Sequence, residues 1–203
     1  MKHDEQFNAA LQHFDAANSE DPQSVKVDGK PEPRELVFNQ RVYDWVTKLV
    51  DDPSEALLLA ARSHTLRRWE IPRSDYSMTT IGYHAWRDAC AEHHAKEATA
   101  ILRDLGYEDA IVEQVEAFIL KKNWPQEAEA CALEDADCLV FLDMKLADYT
   151  DDWDHEKMQR ILQRTLRKMT PEARTRAATL SFSDEVRPFV EEAMRAVDPD
   201  AMG

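Results

Sequence analysis

Glycine is scarce, at 4 of 203 residues. Hairpin-rich β folds and glycine-built phosphate loops both need more of it, so neither is expected. Cysteine is also rare. Cys90, Cys131 and Cys138 show no paired metal-ligand spacing, and an odd number of thiols within helical sequence suits a reduced, mostly buried set. No stretch approaches the roughly 18 apolar residues of a membrane span. The first residues, MKHDEQFNAALQHFD, lack the apolar core of a secretion signal, so the expected location is cytoplasmic. Positive charge is short as well. Lys and Arg total 25 against 40 Asp and Glu, a formal net charge of −15 that repels a nucleic acid duplex.

What remains is a chain with 43% apolar and 32% charged residues. A chain of this length can bury roughly 70% of its unfolded surface and needs no staple to fold. Its apolar residues recur at helical spacing. Phe7, Ala10, Leu11 and Phe14 predict a helix over 4–18 that docks on the body or exchanges between subunits. Residues 19–33 lose periodicity and read as a long polar loop. Helices are then expected over 34–50, from Pro53 to before Pro72, over 83–105 with Gly106 closing it, over 108–122 and over 127–149. The segment CALEDADCLVFL is apolar nearly all round, which marks a buried helix. Three more helices are expected over 155–169, 171–180 and 183–196, with a frayed tail at 198–203. The expected fold class is all-α, a single-domain helical bundle over 1–203. Asp151-Asp152-Trp-Asp154-His155 reads as a solvated helix start. His3, His84, His93 and His155 read as surface residues.

Polar groups on apolar faces carry the functional signal, because a buried ionisable group must be paired, metal-bound or open to a cleft. His64 follows Leu57 and Ala60 on one stripe. His94 leads Ala98, Ile101 and Leu105. Asp135 lies between Cys131 and Leu139. Each of three successive helices thus turns a metal-competent side chain inward. Imidazole and carboxylate together suit a divalent metal such as Zn, Fe, Mn or Mg, which would activate water for phosphate ester hydrolysis. The plainer reading is that each is a satisfied structural group.

Two resemblances enter on these residues. The segments Ala60-Ala61-Arg62-Ser63-His64-Thr65, His94 to Tyr107, and Leu133-Glu134-Asp135-Ala136-Asp137-Cys138-Leu139 resemble the ligand-bearing helices of the HD superfamily of metal-dependent phosphohydrolases. The likeness covers about 36–145. It implies an HD-like core over 34–150, preceded by an N-terminal helix and loop (1–33) and followed by C-terminal helices (151–197). It also implies that His64, His94 and Asp135 are metal ligands, with Glu134 or Asp137 orienting a ligand or water. Thr65 stands where the family has the Asp of its doublet, and residues 34–50 contain no histidine. Over nearly the whole chain, Phe7-Asn-Ala-Ala-Leu, Arg67-Arg68-Trp69-Glu70-Ile71-Pro72-Arg73, Gly82-Tyr83 with Trp86-Arg87, and Leu133-Glu134-Asp135 are similar to family 4202 of the domains of unknown function.

Arg67, Arg68 and Arg73 form a positive island beside His64, with Trp69 among them. Guanidinium groups grip phosphate or carboxylate, and Trp69 offers a stacking face. Arg87, Lys121 and Lys122 are further candidates for its rim. The expected ligand is a small phosphorylated or anionic molecule. The expected activity is metal-dependent hydrolysis of a nucleotide or phosphate ester. The alternative is a non-catalytic anion-binding or interaction module, with a homodimer built through the N-terminal arm.

Overall fold

The computed structural model describes residues 2–146 and 154–198. Its chain is predominantly α-helical, with one small two-stranded sheet. It divides into two compact units, Met1–Ala130 and Cys131–Gly203.

The first unit opens with α1 (Lys2–Asn18). The expected polar loop is instead a hairpin, β1 (Ser24–Val27) and β2 (Lys30–Pro33), paired antiparallel with Val27 opposite Lys30. Asp28 and Gly29 form its two-residue turn at φ of 50° and 79°. Both central residues at positive φ is the type I′ geometry that matches strand twist, and Asp-Gly favours it. The first strand alternates Ser24 and Lys26 with the half-buried Val25 and Val27, an apolar face of only two residues, and the second strand has no such alternation.

Next come α2 (Arg34–Leu49), α3 (Glu55–Ser63), α4 (Thr80–Asp104) and α5 (Asp109–Ile119). Pro33 cannot cap α2 with its side chain, and Asp21 does so from before the hairpin: its carboxylate takes the backbone N–H groups of Gln23 and Glu35, both at 2.9 Å. Ser54 caps α3 by accepting from the Leu57 N–H at 3.1 Å. Tight 3₁₀ turns at Arg68–Glu70 and Arg73–Asp75 lead into α4. Gly106, at φ 76°, ends α4, with the Tyr107 N–H reaching back to the Leu102 carbonyl at 3.0 Å. Lys121 does the same for α5 at φ 55°.

The arm docks on its own unit. Phe14 and Ala10 on α1 are fully buried, and Asp15 grips Arg62 of α3 through two contacts of 2.7 Å. The core gathers Phe14, Phe38, Val42, Leu57, Leu102 and Ile119. Gly82 fills a further need. A Cβ there would collide with the Ser77 carbonyl oxygen, and the Gly82 N–H itself is held by the Thr79 cap of α4. Gly82→Ala should therefore cost about 2 kcal/mol through a backbone clash, read as a lower urea midpoint at unchanged slope.

The unit boundary falls within α6 (Ala128–Val140), which passes into a π-helical turn at Phe141–Lys145. The helix expected over 127–149 is found from Ala128 to Lys145, its last turn π-helical, and 147–149 lie outside the described residues. The second unit continues with α7 (His155–Lys168), α8 (Pro171–Ala177) and α9 (Arg187–Val197). Met158, Leu162 and Leu166 of α7 are buried, as are Val190 and Ala193 of α9, the helix it packs against. Asp154 caps α7 through the Lys157 N–H at 2.7 Å, as expected of a solvated helix start. Residues 151–153 and the tail after 198 lie outside the described residues.

Candidate functional site

The first unit concentrates polar side chains where α2, the end of α3 and the middle of α4 come together. Glu35 and Asn39 stand one turn apart on α2, at 5% and 1% exposure. His64 ends α3 and Thr65 follows it, both buried. The Thr65 hydroxyl donates to the Glu35 carboxylate at 2.5 Å, and its backbone N–H donates to Asn39 Oδ1 at 3.2 Å. Thr65 thus ties the end of α3 to α2. Sequence reading missed Glu35 and Asn39. Their signal was available: both fall on the stripe of Phe38, Val42 and Val46.

His94 comes in from α4 at 3% exposure. Its Nδ1 lies 2.7 Å from the Leu66 carbonyl oxygen, which can only accept, so Nδ1 carries the proton. Nε2 is buried and has no hydrogen-bond partner among the described residues. Burial holds the His94 pKa well below the ordinary imidazole value, and the Arg68 charge adds to this, as do His64 and His93. The ring is neutral at physiological pH. One turn earlier, burial raises the Cys90 thiol, against the opposing charges of Arg68 and Arg87, so no reactive thiolate is formed there.

The basic island separates into different roles. Arg67 is surrounded by Glu20, Glu70 and Glu97 at 3.4, 3.4 and 3.8 Å. Its backbone sits at φ 51°, with its N–H held by the Asn18 side chain. Arg73 spends its guanidinium on the carbonyls of Tyr76 and Ser77, at 3.1 and 2.8 Å. The Arg68 side chain has no hydrogen bond or carboxylate partner among the described residues. Its guanidinium stands 4.8 Å from the centroid of Trp86, and Arg73 stands 5.8 Å from the same ring. Trp86 is fixed by its indole N–H to the Ile71 carbonyl at 2.9 Å. The tryptophan that the two guanidinium groups approach is Trp86, and Trp69 is half-buried. Lys122 pairs with Glu116 at 2.9 Å. His84 and His155 are exposed as expected, and His13 on α1 is exposed too. His93 is not a free surface residue, because it is half-buried against Glu70 at 3.3 Å.

In the second unit, Asp135 accepts from Thr170 twice, from the N–H at 2.8 Å and from the hydroxyl at 2.6 Å. Thr170 in turn caps α8. Within the first unit, the half-buried Glu129 clamps Ser54, the cap of α3, in the same way at 2.7 and 2.6 Å. In both cases the carboxylate holds a cap residue. Glu134 pairs with Lys168 at 2.8 Å. Asp137 is half-buried on α6. Among the described residues, no group of three or more His, Cys, Asp or Glu side chains is placed to hold a metal ion, and no helix is long and apolar enough to cross a membrane. A separate cavity of about 560 Å³, lined by Ser54, Glu113, Gln114, Asn123 and Glu127 among others, contains none of the residues singled out from sequence.

No curated protein and no solved structure matches the chain. A family model described as a domain of unknown function, DUF4202, matches residues 8–190, from within α1 into α9, and the chain belongs to that family.

Proposed function

We propose that this protein is a non-catalytic binding module for a small anion, such as phosphate or a phosphate ester, received at Arg68 and Trp86. One observation carries the reading. In a chain with 40 acidic residues, Arg68 is half-buried, stacked on an aromatic face and without a carboxylate partner among the described residues. Its neighbour Arg67 has three glutamates. Packing against Trp86 removes rotamer freedom from Arg68 and leaves its N–H fork for a planar or tetrahedral oxyanion.

The HD-like reading, with metal-dependent hydrolysis, gains less support. Its doublet position is Thr65, committed to α2. Its distal carboxylate, Asp135, has both oxygens on Thr170. His94 Nε2 could ligate an ion, but within neither unit do the described residues complete a three-ligand set. No step of the proposal runs through a metal.

Titration calorimetry with inorganic phosphate and with a nucleoside monophosphate tests it. The expected result is saturable one-site binding that EDTA leaves unchanged. Binding that requires added Mn²⁺ or Fe²⁺, with release of phosphate from the ester, would replace this reading with the hydrolytic one. Calorimetry is preferred to melting because phosphate raises melting temperatures of many proteins by exclusion from their surfaces.

A further inference from the structure

The outward face of α7 is basic in a chain that carries a net charge of −15. Met158, Leu162 and Leu166 form the buried stripe of that helix. Arg160, Arg164 and Arg167 lie on the opposite side, all exposed, at the i, i+4, i+7 spacing that keeps three side chains in line. Cations suit a helix C-terminus, but that preference covers the last turn only and does not account for Arg160 and Arg164. Arg160 has one exposed partner, Glu156 at 3.6 Å, and Arg167 has one carboxamide, Gln163 at 3.2 Å. The Arg164 side chain has no hydrogen bond or ion pair among the described residues. Like charges four residues apart on a helix repel each other, so this face gains from an opposing array.

The first unit carries one. Asp109, Glu113 and Glu116 stand on α5 at the same i, i+4, i+7 spacing. The side chains of Asp109 and Glu113 are exposed and have no partner among the described residues, and Glu116 meets only the exposed Lys122. Glu113 also lines the cavity of about 560 Å³, where Ala110 and Ala117 leave room and Glu127 adds a carboxylate. We infer that α7 of one copy of this chain docks on the α5 face of a second copy. Each triplet covers about 10 Å of helix axis, so a parallel alignment sets Arg160, Arg164 and Arg167 opposite Asp109, Glu113 and Glu116. The guanidinium fork matches a carboxylate bidentately. Every chain carries both halves, so the contact is self-complementary. The net negative charge disfavours other contacts between copies and makes this opposition of charge the selective one.

Sedimentation velocity of the full chain tests this. The mass should rise from monomer toward dimer or beyond as protein concentration rises. Arg164→Glu should weaken association by about tenfold or more, and so should Glu113→Lys, since each sets like charges against each other. Both positions are exposed, and circular dichroism checks that the variants fold. A mixture of the two variants should recover association, because the new glutamate of one meets the new lysine of the other. A monomeric mass at every concentration would overturn the inference. So would association that survives both changes, or a mixture that does no better than either variant alone. Monomers that bind poly-glutamate through Arg164 would also overturn it, and would assign the face to an acidic partner chain.

Discussion

Asp135→Ala should destabilise the protein by about 2–4 kcal/mol, from the loss of two hydrogen bonds to a buried carboxylate and the weakened cap of α8. The residue is 3% exposed, and both oxygens are engaged by Thr170. Thermal or urea unfolding checks it, with roughly 2–4 °C lost per kcal/mol in a chain of this size. Asp135→Asn keeps the shape and one acceptor and should cost less. The pH dependence has a definite sign. Burial raises the Asp135 pKa above its ordinary 3.8, and Glu134 adds to the rise, while the Thr170 bonds and Arg174 oppose it. A raised native pKa means that the folded state keeps a proton which the unfolded chain has released. The stability gained from this group is complete below 3.8 and falls as pH climbs through the native value. The margin of wild type over Asp135→Asn should therefore shrink from acid toward neutral pH. A margin that widens would show that the carboxylate is stabilised in its charged form instead.

Arg68→Gln should weaken phosphate binding by about 100-fold, the scale of a charged hydrogen bond of 1.5–3 kcal/mol. Arg68→Lys should fall between, because a lysine keeps charge but not the planar fork that stacks on Trp86. Neither change should alter the fold much, since Arg68 joins no ion pair among the described residues. Calorimetric titration of folded variants gives the ratio. Equal affinity in wild type and Arg68→Gln would place the anion elsewhere.

Much of the helical plan is legible in the sequence, because apolar spacing and caps act locally. Gly106 closes α4 and Asp154 opens α7 where their residue types suggest. The hairpin at 24–33 is only faintly legible: its strands bury little, and its signal is Asp28-Gly29 with Val25 and Val27 alternating before it. The burial of His64, His94 and Asp135 follows from their stripes. Their partners do not, since a hydrogen bond such as Asp135 to Thr170 spans 35 residues and depends on tertiary packing. The same holds for the arginines. Arg67, Arg68 and Arg73 are alike in sequence, yet one faces three glutamates, one faces backbone carbonyls and one faces the Trp86 ring.

Diffraction from crystals grown with phosphate at low ionic strength, with a matched control free of phosphate and sulfate, tests the central claim most directly. The account predicts a tetrahedral peak within about 3 Å of the Arg68 guanidinium, absent from the control. A phosphate seated elsewhere, or an empty Arg68 in a crystal that binds phosphate in solution, would contradict it.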